Sequence, residues 1–167
     1  DHTSSYAVLP IEGFDAGLAI QADAYAHSLV DADELRRELE VIIEEARRKE
    51  DNPGAVTTET LYELLHDRHR IRRWRIGREA PLRALRRDQL LAFYHHFYRP
   101  SNTILVVSGD VRPDSLLPRI TELYGALPDG AVARSRGADE IAPPGRRFRE
   151  LSGDVAESQC ALGWRTP

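Results

Sequence analysis

A chain of 167 residues, 41% hydrophobic and 30% charged, has the size and make-up of one soluble, globular domain and is not a disordered segment. Its formal charge of -4 opposes a general nucleic-acid-binding role, and no apolar run approaches the roughly 18 residues that a membrane-spanning helix needs. The single cysteine, Cys160, excludes an internal disulfide framework and any multi-cysteine metal site.

The chain starts at Asp1, contains no methionine and opens with no signal-peptide pattern, as expected of a chain that is processed, excised or incomplete. The compartment stays open, with bacterial periplasm and cytoplasm both compatible. SYAVLPI at 5–11 has the pattern of a short strand ended by Pro10. Phe14, Leu18, Ala22, Tyr25 and Leu29 then share one helical face. A second helix is expected to open at Asp31 or Asp33 and to stop at Asp51-Asn52-Pro53, a third to run from Thr57 or Thr58 through Leu65, and a fourth from Asp88 to Tyr98 after an arginine-rich linker. TILVVSGDV at 103–111 is a continuous β-branched run, the pattern of a strand covered on both faces. A helix with Leu116, Ile120, Leu123 and Tyr124 in register follows, in which Pro118 is awkward outside the first turn. Residues 128–147 have linker composition, and FRELSG and SQCALGW beyond them have strand character.

Strands mixed with clustered helices predict an α+β fold, a layered antiparallel or mixed sheet covered by helices. Residues 1–128 are expected to be part of one domain, 129–147 a linker, and 148–167 the first strands of a second unit.

The helix at 34–53, ELRRELEVIIEEARRKEDNP, carries six glutamates. Seven residues turn through about 700°, so Glu38 and Glu45 fall within roughly 20° of each other on one face, with Val41 and Ile42 between them. A carboxylate against an apolar layer needs a cation, donors or a metal, or gives up its charge. Spacing alone leaves a salt bridge to a neighbouring arginine and a metal both open. Glu40 and Glu44 lie elsewhere around the helix, within reach of Arg36, Arg47 and Arg48 for ordinary solvated pairing.

This helix, then HRIRRWRIG at 69–77 and RRDQLLAFYHHFYRPSNTILVVSGDV at 86–111, together resemble in order and spacing the middle of an insulinase/pitrilysin-type zinc peptidase domain of the mitochondrial-processing-peptidase-like branch. DHTSSYAVLPIEGFDAGLAIQADAYAHSL at 1–29 is similar to the segment before that middle, and SQCALGWRTP at 158–167 to the first strand of the second half of a tandem. The resemblance implies half of a tandem metallopeptidase-like fold, truncated at both ends. In that family an H-x-x-E-H helix gives two His ligands and a general-base Glu, and the second Glu of a downstream E-E pair completes the zinc site. That pair matches Glu44-Glu45, which assigns Glu45 as the metal ligand, and the Glu seven residues earlier matches Glu38, which assigns it to positioning the site.

No H-x-x-E-H occurs in residues 1–167, so no general base is assigned here and the motif is expected upstream of Asp1. The resemblance implies a zinc-dependent endopeptidase acting on peptides or unfolded protein segments, with Zn2+ in the intact parent and little or none in this chain, which alone is expected to be inactive. It also implies a homodimer or a heterodimer with a related subunit. The alternative is a non-catalytic, metal-free subunit of the same family.

Other candidates have plainer explanations. RHRIRRWRIGR at 68–78 reads as a loop leading to Gly77 and not as a nucleic-acid patch. His66 and His69 have spacing for one helical face and a metal, but a histidine pair at a helix C-terminus is the commoner cause. His95 and His96 are adjacent, the wrong spacing for the zinc motif. Cys160 is expected to be a small packed side chain on a buried strand.

Overall fold

A computed structural model describes residues 2–133, 135, 137–140 and 145–165. Among them are six α-helices: α1 Phe14–Ala26, α2 Ala32–Glu50, α3 Pro53–Leu65, α4 Glu79–Arg83, α5 Arg87–Phe97 and α6 Pro113–Tyr124. Single 3-10 turns occur at Ile11–Gly13, Arg70–Arg72 and Pro100–Asn102. The chain divides into two compact units, Asp1–Val30 with Asp88–Ala133, and Asp31–Arg87 with Arg134–Pro167.

The first unit is organised around α1. Leu18 and Ala22, four residues apart on one face, are buried. Gly17 leaves room for Leu9, since a Cβ there would lie 2.0 Å from Leu9 Cδ1. Arg119 of α6 grips Asp15 of α1 with two bonds, Nε to Oδ1 at 2.6 Å and a terminal nitrogen to Oδ2 at 3.1 Å. Four tyrosines gather near the C-terminal end of α1: ring centres lie 5.8 Å apart for Tyr25 and Tyr98, 5.1 Å for Tyr94 and Tyr98, and 6.4 Å for Tyr25 and Tyr124. The Tyr94 hydroxyl donates to the Tyr25 carbonyl, which α1 leaves unsatisfied as it ends.

The second unit is built on α2 and α3. The Asp31 carboxylate accepts from the amides of Asp33 and Glu34 at 2.9 and 3.0 Å and caps α2, as its sequence position predicts. Those donors hold the Asp31 carboxyl below its ordinary pKa. Asn52 caps α3 by accepting from the Ala55 amide at 3.0 Å, and Pro53 takes the first helical position, where a missing N–H costs nothing. Pro53 thus ends one helix and starts the next, so α3 begins earlier than the expected Thr57 or Thr58. The short α4, inside what reads as linker, is tied to α2 by charge. Arg83 donates to Glu79 and Glu40, both at 2.8 Å, and Arg47 donates to Glu79 at 3.0 Å. These hydrogen bonds, Arg83 first, hold the Glu79 carboxyl below its usual range.

The expected layered sheet covered by helices is overturned: the described residues form helices, turns and irregular chain, with no strand among them. None of the four strand-like segments, 5–11, 103–111, FRELSG or SQCALGW, finds a ladder partner. Ile104, expected to be covered on both faces, is 88% exposed, and Val8, Val106, Phe148 and Leu162 also face outward. The physical reason is that β-branched composition reports a residue's fit to a pleated, half-buried surface, while a strand also needs a neighbour to exchange backbone hydrogen bonds with. Cys160, placed by the same reasoning in a buried strand, is exposed. Part of the linker expectation, residues 134, 136 and 141–144, lies outside the described residues. Two smaller differences concern helices. α1 stops at Ala26, leaving Leu29 exposed, and Pro118 sits inside α6 beyond its first turn.

Candidate metal centre

α2 has a strongly two-sided distribution of side chains, and its two sides differ from the sequence expectation. The buried stripe runs through Ile43 and Ala46, with Leu35 and Leu39 half-buried in line with them. A groove of about 330 Å³ borders this stripe, lined by Leu35, Leu39, Ile43 and Leu85 with Arg36 and Arg83 at its edge; neither Glu38 nor Glu45 lines it. Val41, which lies between those two glutamates, is 59% exposed. Ile42, the other apolar residue between them, is half-buried, while Glu38, Val41 and Glu45 are exposed, so the two carboxylates are not enclosed by an apolar layer.

The two adjacent glutamates are held differently. Glu44 is engaged by the guanidinium of Arg47, which also binds Glu79. Glu45 is 59% exposed along its side chain and, among the described residues, has only Lys49 Nζ at 3.8 Å, the outer limit of an ion pair one turn on. The Glu38 side chain is exposed and makes no hydrogen bond or ion pair with another described residue. Glu45 thus keeps carboxylate oxygens free for a further ligand, whereas Glu44 is committed. Among the described residues no three His, Cys, Asp or Glu side chains are grouped to hold a metal ion.

The remaining candidates fall into place locally. His66 caps the C-terminus of α3 with extended backbone, so it and His69 do not share a helical face, although their rings lie 5.7 Å apart. Burial keeps the His66 imidazole below its ordinary pKa of 6.5, against the pull of the Glu140 carboxylate, and its Nδ1 is enclosed without a hydrogen-bond partner. His69 Nδ1 accepts from the Ile71 amide at 3.2 Å. His95 and His96 occupy the last turn of α5.

The arginine-rich loop is largely spent on internal structure. Arg72 donates to the His66 carbonyl at 3.2 Å, Arg75 to the buried Glu59 at 3.1 Å, and Arg78 to Glu63 at 3.0 Å while lying 3.8 Å over the Trp74 ring. Gly77, at φ 93, makes the turn that Trp74 and Arg78 flank, a conformation disfavoured for residues with a Cβ.

Sequence reasoning missed Glu140. Its carboxylate accepts from three successive backbone amides, Asp67 at 2.9 Å, Arg68 at 2.6 Å and His69, and meets Arg165 at 3.3 Å. Desolvation works to raise its pKa, but the amides and the Arg165 charge outweigh it and hold the carboxyl at about 2. No signal in the sequence marks this acceptor, because its donors are main-chain groups.

Comparison with known proteins joins these observations to a family. The profile described as the Peptidase M16 inactive domain matches residues 84–167. The chain is 27% identical over 126 residues to YmxG, an uncharacterized zinc protease of Bacillus subtilis, covering 75% of this chain and 31% of that protein. It is 28% identical over 177 residues to an uncharacterized zinc protease of Mycobacterium tuberculosis, covering 100% of this chain and 39% of the relative. A Schizosaccharomyces pombe protein named as a mitochondrial-processing peptidase subunit beta is 23% identical over 158 residues, covering 90% of this chain and 35% of that one. The crystal structure of an M16-like peptidase from Alicyclobacillus acidocaldarius matches with a TM-score of 0.60 at 26% identity, over 66% of this chain and 27% of that one. The chain thus spans between 31% and 39% of the length of these curated relatives. With the profile covering half of its residues and relatives named as zinc proteases aligned along its length, the chain belongs to the M16 peptidase family, as the insulinase-like order of its motifs implied.

Proposed function

We propose that the chain is part of a zinc-dependent endopeptidase that hydrolyses peptides or unfolded protein segments, with Glu45 as one zinc ligand. The observation that carries this is the contrast between two neighbouring carboxylates: Glu44 is taken by Arg47, while Glu45 is exposed and held only by a 3.8 Å contact to Lys49. An anionic oxygen free of strong partners suits a zinc ligand, so the donor fits. Glu38 stands two turns earlier, about 10 Å along the axis on the same stripe, and serves as an acceptor that orients groups around the metal. The remaining protein ligands and the general base come from outside the described residues, and an H-x-x-E-H segment is the expected source. When bound, zinc supplies Lewis-acid chemistry, polarising a scissile carbonyl and acidifying water.

The same proposal places residues 1–128 in one peptidase-like domain, 129–147 in a linker and 148–167 at the start of a second. It also pairs the whole protein with a copy of itself or a related subunit, as the name of the S. pombe relative suggests for that protein. A second reading, a metal-free partner subunit, is favoured by the match of residues 84–167 to a profile described as inactive. Glu45 lies outside that match.

Metal content and peptide hydrolysis of the purified full-length protein separate the two. An active zinc peptidase is expected to hold close to one zinc per chain and to lose hydrolysis on chelation. A full-length protein without zinc and without hydrolysis overturns the first reading in favour of the second.

A further inference from the structure

α3 ends at Leu65, and the next amides, those of residues 67–69, point at one carboxylate, that of Glu140. A carboxylate beside a helix C-terminus is in the wrong place electrostatically, because the partial charge there is already negative. It persists only where donors outweigh that repulsion. Here three consecutive N–H groups form a concave donor set of the kind that binds anions, and Arg165 adds a full positive charge at 3.3 Å. The surroundings support the same pocket. Arg147 binds the Asp67 carboxylate at 2.6 Å and the Leu64 carbonyl at 2.9 Å, which fixes the turn that carries the amides. The enclosed, unpartnered His66 Nδ1 lies nearby, within the electrostatic reach of Glu140 and Arg165. Gly137, three residues before Glu140, has φ 82 and open space around its Cα, so the segment delivering the carboxylate turns at a residue that adopts this conformation without strain.

We propose that the amides of residues 67–69, with Arg165, form a carboxylate-binding site that Glu140 fills from within the chain, so that Glu140 is a clasp holding residues 137–140 to the end of α3. The ligand class is a carboxylate, and the clasp is releasable because its partner amides belong to a turn already fixed by Arg147. This is independent of the zinc assignment, since no residue of the clasp lies on α2.

Amide hydrogen exchange at residues 67–69 tests it directly, with α2 amides as the control for intact folding. In Glu140→Ala, exchange at 67–69 is expected to quicken roughly tenfold or more, as hydrogen bonds to a charged acceptor are lost, with α2 unchanged. Glu140→Gln, which keeps one acceptor oxygen and the side-chain volume, is expected to give a smaller acceleration, and it serves as the readout should the alanine variant fail to fold. Sodium acetate at high concentration, compared with equal sodium chloride, is expected to restore protection in Glu140→Ala and to leave the parent unchanged. Unaltered exchange at 67–69 in both variants overturns the clasp. Faster exchange that acetate does not reverse overturns the binding site.

Discussion

Removing Arg75 is expected to destabilise the Asp31–Arg87 unit more than neutralising its partner Glu59, although both changes break the same ion pair. The pair is lopsided: the Glu59 side chain is 6% exposed and that of Arg75 is 71% exposed, with Arg75 Nε 3.1 Å from Glu59 Oε1. Arg75→Ala leaves a buried carboxylate without its cation. Such losses cost about 3–5 kcal/mol when both partners are buried, and the solvent around Arg75 reduces the figure here to about 2 kcal/mol. Glu59→Gln removes the charge, keeps the shape and leaves an amide oxygen able to accept from Arg75, which is otherwise free to return to water, so the cost is at most that of an ordinary hydrogen bond, about 1 kcal/mol. Urea unfolding of the parent, the two single variants and the double variant gives both numbers and their coupling. In the double variant the cost of losing Arg75 is expected to fall to near zero. If Glu59→Gln is the more costly single change, or if the two costs simply add, the buried carboxylate is not held by Arg75 and the account of this pair is wrong.

Three further outcomes follow from the same structure. Asp31→Ala removes the acceptor of two α2 amides and is expected to lower the melting temperature, with Asp31→Asn close to the parent, as thermal melting of the three proteins checks. Acid is expected to weaken the second unit in two steps. The folded-state pKa values of His66 and Glu140 both lie below their ordinary values of 6.5 and 4.5, so their contributions are complete above pH 6.5; His66's is lost as pH falls below 6.5, and Glu140's between 4.5 and about 2. Melting temperature against pH should show a smaller lower step in Glu140→Gln, the remainder coming from Asp31, Glu63, Asp67 and Glu79, whose carboxyls are also held below their ordinary range. With Arg72, Arg75 and Arg78 engaged internally, mixed-sequence RNA or DNA is expected to bind weakly and to be released by moderate salt, which filter binding across a salt series checks.

What could be read from the sequence depended on whether the signal was local. α2 was legible because its cap, its apolar spacing and its stop signals all lie within about twenty residues, and Asp31 does cap it. The α3 start was misplaced because Pro53 serves two helices at once, ending α2 and opening α3. α4 was hidden because it is held by Glu40, Glu79, Arg47 and Arg83 across two elements and not by an apolar periodicity. The strand expectations failed because ladder pairing is non-local, and Ile104 or Val106 carries no information about whether a neighbour exists. Glu38 and Glu45 were found by helical spacing joined to a family resemblance, yet the face they occupy was misjudged: spacing orders residues around a helix but does not say which side is covered. The Glu140 clasp was out of reach, since three amides carry no residue-specific mark.

The most direct test of the central claim uses the full-length protein and the neighbouring pair Glu44 and Glu45. Zinc content by mass spectrometry of metals is measured for the parent, Glu45→Gln and Glu44→Gln, with thermal melting to establish that each is folded. Gln keeps the volume of Glu and removes the anionic oxygen, so Glu45→Gln is expected to lose most of its zinc while still folded. Glu44, about 100° away around the helix and bound to Arg47, is expected to keep its zinc on the same change. Zinc lost from Glu44→Gln and retained by Glu45→Gln would contradict the assignment, and zinc retained by both would reduce Glu45 to a solvated helix residue.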